Sequence, residues 1–258
     1  MIDSSSLVAV VTGGSSGIGK SICEHFLRSG YTVLSLSRRP SPITDAKLVD
    51  LRADLSILDD VKRIANEVAK YSPTTLVLNA GESLQKRTED VLVDELDRQV
   101  RLSITSGLLL TQACLPAMRH AHFGRIVMIS SRAIIGLAGV AAYSAAKSAQ
   151  LGLARSWALE FGPSGITVNV IAPGPIKTEM FDVGPARAAE IERSLAGNLP
   201  VRRLGAPDDI ARAVMFLAAP ENSFITGQAI FVCGGASLGG VNTLGVISAA
   251  RNTQKQIG

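Results

Sequence analysis

What most constrains this chain is a repeating unit: a short, continuous apolar run of strand length followed by a segment of helix length. The runs at Leu7 to Val11, Tyr31 to Leu36, Thr74 to Leu78, Arg125 to Ile129 and Thr167 to Ile171 show little in/out alternation of polarity. A strand that is apolar on both sides needs cover on both faces, as in a parallel sheet held between two layers of helices. A weaker run at Lys47 to Arg52 and a last one at Ala229 to Val232 complete the set. Between them lie helical stretches at about Gly17 to Arg28, Ser56 to Lys70, Glu89 to His120, Val140 to Phe161 and Asp208 to Ala218. The repetition predicts an α/β fold: a doubly wound parallel sheet flanked by helices on both faces.

Composition bounds the rest. Of the 258 residues, 47% are hydrophobic and 19% charged. No linker, repeat or change of composition marks a boundary, so residues 1–258 are read as a single domain. Lys and Arg outnumber Asp and Glu by 26 to 22, a net charge of +4. These charges are scattered, which argues against a nucleic-acid partner and suits mild attraction to a small phosphorylated molecule. Cys23, Cys114 and Cys233 lack metal-ligand spacing and read as reduced core thiols, with no metal site. The opening Met-Ile-Asp-Ser-Ser-Ser lacks a basic and then apolar leader, and no apolar run approaches the roughly 18–20 residues of a membrane span. A cytoplasmic setting without a membrane partner is expected. The two ends (Met1 to Ser6 and about Ala249 to Gly258) read as frayed or partner-bound.

Two places carry the signs of a nucleotide site. The first strand runs into Thr12-Gly13-Gly14-Ser15-Ser16-Gly17-Ile18-Gly19, where glycines permit a tight turn and close approach of backbone N–H groups to a pyrophosphate. No Gly-Lys-Ser/Thr follows, so this is not a Walker A loop. The second strand ends not in a carboxylate, which would bind adenosine ribose hydroxyls, but in Ser37-Arg38-Arg39. Guanidinium groups there favour a 2′-phosphate, hence NADP(H) preferred with NAD(H) possible; either arginine can turn inward, and Arg38 is preferred. Between Pro173 and Pro207 the chain is rich in Pro, Gly and Ala without a strand, and about 174–206 reads as a substrate-covering insert.

Four motifs in order make the chain resemble the short-chain dehydrogenase/reductase family: the glycine turn at 12–19, Asn79-Ala80-Gly81, Tyr143-x-x-x-Lys147 and Pro173-Gly174. The similarity runs from Val8 to about Gly235 and implies a Rossmann fold and hydride transfer between a nicotinamide cofactor and a small-molecule carbonyl or secondary alcohol. The cofactor contacts it implies are Gly13, Ser15, Ser16, Gly17, Ile18 and Gly19, then Ser37 and Arg38, Asp54 and Leu55, and Asn79, Ala80 and Gly81. Pro173, Gly174, Ile176 and Thr178 follow, together with Tyr143 and Lys147. Helix capping is a rival role for Asp54 and for Thr178, and strand stabilisation for Asn79. Homotetramers or homodimers are implied, and the small residues Ala145, Ala146, Ala149, Gly152 and Ala154 would permit close helix packing.

The implied catalytic residues are Ser131, Tyr143 and Lys147. Residues four apart share a helix face, so Lys147 is expected near the Tyr143 hydroxyl. A free phenol titrates at about 10, and bringing it to ~7 takes roughly 4 kcal/mol. One cation at about 4 Å with an effective dielectric near 20 supplies that, so a lowered Tyr143 pKa is expected. The strand end offers Ser130 and Ser131. Shortening the loop is easier than shifting a buried strand's register, which favours Ser131. Where many members carry an asparagine in a water-mediated proton relay, this chain has Ser103, so a weakened or rerouted relay is expected. That departure leaves an alternative, a cofactor-binding protein without catalysis. Glu82, Ile134, Ile135, Leu137 and Met180 are candidate substrate-lining residues and lean towards a hydrophobic or mixed substrate.

Overall fold

The computed structural model describes residues 7–178 and 192–238. Seven strands form one sheet: β1 (Val8–Thr12), β2 (Thr32–Ser37), β3 (Leu48–Arg52), β4 (Thr75–Leu78), β5 (Gly124–Ile129), β6 (Ile166–Pro173) and β7 (Ala229–Val232). Their spatial order is β3-β2-β1-β4-β5-β6-β7 and every pairing is parallel. The chain thus winds outward from β1 in one direction, then returns to wind the other way from β4. The described helices are α1 (Gly17–Arg28), α2 (Leu58–Ala69), α3 (Val93–Val100), α4 (Ser106–His120), α5 (Ala141–Phe161), α6 (192–197) and α7 (Pro207–Ala218). Among the described residues no helix is long and apolar enough to cross a membrane.

The unalternating strands are explained by two cores. Val10, Ile126 and Met128 enter the core made with α2, α4 and α5, while their neighbours Val11, Val127 and Ile129 enter the core made with α1 and α7. Successive residues of a strand point to opposite faces, so both parities must be apolar. Truncating a fully buried member such as Ile126 to Ala costs about 2–5 kcal/mol by the usual transfer and cavity terms. The weak run at β3 is the sheet edge, with Leu48, Val49 and Leu51 only half-buried.

Helix α1 shows how local sequence sets an element. Ile22, Cys23 and Phe26 form its buried face. It stops because Gly30 takes φ +87 and donates to Leu27, while the next amide, Tyr31, donates to Phe26. The Tyr31 ring packs 4.9 Å from that of Phe26, completing the hydrophobic contact of this ending.

The expected single helix from Glu89 to His120 is instead broken. A 3-10 turn at Thr88–Asp90 leads to α3, and a π turn at Arg101–Thr105 separates α3 from α4. At that turn the Ser106 hydroxyl donates to the Leu102 carbonyl at 2.6 Å, taking up a backbone acceptor that the wider turn frees. Ser103 sits inside it, buried, its hydroxyl without a hydrogen-bond partner among the described residues.

In the 174–206 insert the described ends are pinned together. Ile176 and Gly205 form a β-bridge, with Lys177 donating to Gly205 at 2.8 Å and Gly205 to Pro175 at 3.0 Å. Met180 lies outside the described residues, as do both chain ends.

Candidate active site

The carboxyl ends of β1, β2, β4, β5 and β6 open into one cleft of about 750 Å³. All twenty residues proposed from sequence for cofactor binding and catalysis line it, from Gly13 to Thr178. Glu82 and Leu137 of the proposed substrate-lining set also do, whereas Ile134 and Ile135 do not. The sequence favours Arg38 over Arg39, yet both line the cleft, and it does not single out Ser83, Gln85, Arg98, Arg132 and Leu195, which also line the cleft. Its wall is therefore more polar than expected. Ser83 and Gln85 lie in a loop without a periodic signal, and the helical period at Arg98 and Leu195 does not say which face meets the cleft, which is why this wall was not legible.

The glycine turn is fixed from two sides. Gly13 donates to Leu36 of β2 at 2.7 Å. The Thr12 hydroxyl accepts from the amides of Asn79 and Ala80 at 2.9 and 2.8 Å, and Asn79 Nδ2 donates to the Thr12 carbonyl at 2.9 Å. Asn79 thus ties β4 to β1. Gly17 takes φ +51, and α1 begins at that residue with no side-chain cap from Ser16 and no acidic residue in its first turn. A glycine cradle at an uncapped helix start fits a pyrophosphate, which satisfies the orphan N–H groups and the positive helix end together.

The β2 end presents both arginines to the cleft. Arg39 donates to the Ser16 hydroxyl at 3.3 Å, reaching across to the glycine turn. Arg38 lies near Asp54. Burial would raise the Asp54 carboxyl, but hydrogen bonds from Ser56, with the charges of Arg98 and Arg38, hold it below its usual range. Asp54 Oδ1 accepts from the Ser56 amide and hydroxyl at 2.9 and 2.6 Å, closing the turn ahead of α2. The cap position of α2 is Ile57, without a side-chain hydrogen bond, so the helix-capping role is not realised. Thr178 lies over the glycine turn, its methyl 3.4 Å from where a Gly17 Cβ would stand.

The two serines have separate partners. Ser130 Oγ is buried and donates to the Lys147 backbone carbonyl at 2.9 Å. Ser131 Oγ accepts from the Ala133 amide at 3.2 Å and is hydrogen-bonded to Tyr143. Removing each hydroxyl should separate their roles. Ser131→Ala should cost about 10²–10³ in kcat, whereas Ser130→Ala should retain kcat and lower stability by about 1 kcal/mol in denaturant titrations. The reverse pattern would exchange the assignments.

Lys147 departs from the expectation. Its Nζ is buried, donates to the Ile129 carbonyl at 2.8 Å and stands 5.9 Å from the Tyr143 ring centroid. Burial lowers its pKa to about 8. Burial also raises the Tyr143 hydroxyl, and the Ser131 hydrogen bond offsets this only in part. Helical spacing brings the two side chains together, but burial outweighs the other influences on the phenol, so the expected lowering of Tyr143 by Lys147 is absent. The lysine carries a pH signature of its own. The unfolded chain holds the extra proton between about pH 8 and the ordinary lysine range, so stability should rise with pH across that window. Lys147→Met should flatten that rise in urea melts taken at several pH values.

Cysteines also divide. Burial pushes the Cys23 thiol up to about 12 and raises Cys114 as well, as core thiols should behave. Cys233 is the exception: burial would raise it, but hydrogen bonds from Ser237, Gly235 and Ala236 bring it below its usual value.

A family model described as "Enoyl-(Acyl carrier protein) reductase" matches residues 13–237. The dehydrogenase subunit BbsD of Thauera aromatica, named for (2S)-[(R)-hydroxy(phenyl)methyl]succinyl-CoA, is 34% identical over 250 residues, covering 90% of this chain and 96% of that protein. The chain belongs to the short-chain dehydrogenase/reductase family. Among solved structures, the aldohexose dehydrogenase of Thermoplasma acidophilum superposes with a TM-score of 0.84 at 30% identity, over 91% of this chain and 95% of that one. ElxO, solved with NADP bound, gives 0.81 at 29% identity, over 89% and 98%. The fold and oxidoreductase class of this short-chain dehydrogenase/reductase thus agree with the reading from its motifs.

Proposed function

We propose that the chain transfers a hydride between NADP(H) and a carbonyl or secondary-alcohol substrate, with Tyr143 as general acid and base. The observation that carries this is the convergence of Ser131, Tyr143 and Lys147 on the same cleft that the glycine turn lines. The bound nicotinamide supplies or accepts the hydride. The glycine turn would hold the pyrophosphate, Arg38 and Arg39 the 2′-phosphate, Asp54 and Leu55 the adenine side, and Ile176, Thr178 and Lys147 the nicotinamide side. Ser131 orients the substrate oxygen as charge develops on it. Tyr143 delivers the proton from its hydroxyl during reduction and takes it back during oxidation. Its raised pKa keeps it protonated through the neutral range, which suits the acid role. Ser103, enclosed in the π turn, leaves the onward proton route without the amide that many family members carry there.

Preference for NADP(H) is supported by the two guanidinium groups at the β2 end and the absence of a carboxylate there. Paired initial rates with NADPH and NADH against a ketone and aldehyde panel test both parts. NADPH should be favoured, and Arg38→Ala combined with Arg39→Ala should cut its kcat/KM about 10–100-fold while sparing NADH. NADPH binding without any consumption would favour the cofactor-binding alternative. Equal use of both cofactors would remove the NADP preference.

A cytoplasmic homodimer or homotetramer belongs to the same reading. Of the small residues on α5, Ala145, Ala149 and Gly152 are exposed on one face, while Ala146 and Ala154 face the core. Leu96, Val100 and Leu108 add exposed apolar surface on α3 and α4.

A further inference from the structure

The cations of the cleft can be accounted for one by one, with a single remainder at its catalytic end. Arg98 is held by Glu82 in a forked pair, at 2.5 and 3.2 Å, which also neutralises that carboxylate. Lys147 is bonded to the Ile129 carbonyl. Arg38 and Arg39 belong to the β2 end, beside Asp54 and Ser16. Arg132 is different. It follows Ser131 directly, opens the 3-10 turn Arg132–Ile135, and lines the cleft half-buried. Among the described residues its guanidinium has no hydrogen bond or ion pair.

The surroundings of this turn are fixed. The Ala133 amide donates to Ser131 Oγ. Farther along the same loop, Gly139 accepts from the Lys86 amide at 2.8 Å, and Lys86 bridges Val140. The stretch carrying Ser83 and Gln85 is thereby fastened to the loop that begins at Arg132. Both line the cleft and supply neutral hydrogen-bonding groups. With Glu82 neutralised, the catalytic end offers one unpaired guanidinium and no unpaired carboxylate among its described lining residues. A guanidinium is a planar fork of donors with no acceptor, and its best complement is a carboxylate.

We propose that Arg132 binds a carboxylate on the substrate, so that the chain acts on oxo acids and their hydroxy-acid counterparts. This rests on the hydride-transfer reading and narrows its substrate class. The probes are acetoacetate, levulinate and benzoylacetate, each compared with its methyl ester. Turnover is measured with saturating NADPH, and calorimetric binding with the NADP-saturated protein. At least one acid should bind and be reduced with a KM about 10–100-fold below its ester's. Arg132→Gln should raise the KM for that acid by a similar factor while leaving its kcat, the ester kinetics and NADPH affinity unchanged. Arg132→Lys should restore part of the loss.

A wild-type preference for the esters, or a Gln variant that slows acid and ester alike, would overturn the assignment. So would displacement at Arg132 by inorganic phosphate when none of the acids binds. Acids that bind through Arg132 without being reduced would uphold it and sink the hydride-transfer reading. Reduction without any preference for acids would do the opposite.

Discussion

Tyr143→Phe is expected to lower kcat for carbonyl reduction by about 10²–10⁴-fold, the usual range for a positioned general acid. The change removes one oxygen and keeps the ring, so packing at the start of α5 should be preserved. Ser131 loses a partner but keeps its bond from the Ala133 amide at 3.2 Å. NADPH affinity, read from reduced-nicotinamide fluorescence, should therefore stay within a few-fold. That split between an intact Kd and a lost kcat identifies a chemical rather than a binding role. In the reverse direction the wild-type rate should climb as pH rises towards the raised pKa of Tyr143. The Phe variant should lack that climb. A variant retaining a tenth or more of the wild-type rate would mean that another group moves the proton.

Gly19→Ala should be the most damaging single methyl that can be added to the cleft. A Cβ at Gly19 would stand 2.1 Å from the Gly13 carbonyl oxygen and 2.6 Å from Asn79 Nδ2. Neither can retreat freely. Gly13 is tied to Leu36 at 2.7 Å and Asn79 to Thr12 at 2.9 Å, so relief would pull the turn away from β2 or β4. Overpacking of this kind costs about 1–3 kcal/mol, and the displaced amides would no longer converge on a pyrophosphate. The denaturation midpoint should fall and NADPH binding should be lost. Gly162→Ala is the control: nothing lies within 4 Å of its Cβ position, at φ −51. It should change stability by less than about 1 kcal/mol. Wild-type NADPH affinity in Gly19→Ala would remove the glycine turn from the cofactor site.

Much of this architecture was legible because the two-sided burial of parallel strands writes itself into the sequence as unbroken apolar runs. The bounds of α1 and β7 match their expected ranges, and β3 read weakly because an edge strand needs fewer apolar positions. The motif residues were legible because they sit at strand ends or on the helices that follow them, where the fold itself delivers them to the cleft. Three things were not. The π turn at Arg101–Thr105 inserts without a local composition signal. The pairing of Arg98 with Glu82 joins α3 to a loop that spacing does not relate to it. The state of Tyr143 depends on how deeply its hydroxyl is buried, which helical periodicity does not encode. Ser130 and Ser131 show the same limit from the other side: register separated their directions, but only their partners showed what each one holds.

Lys147 is stitched twice to the end of β5, by its ammonium to Ile129 and by its backbone carbonyl to Ser130, the residue that follows the strand. One residue is therefore gripped at both ends by neighbouring points at a strand end inside the core. This makes the wall that bears Tyr143 and Ser131 the stationary jaw of the cleft, its shape set before any ligand arrives. Amide exchange at the start of α5 should consequently report whole-molecule unfolding rather than local opening. Any closing of the cleft over a ligand must come from the opposite jaw.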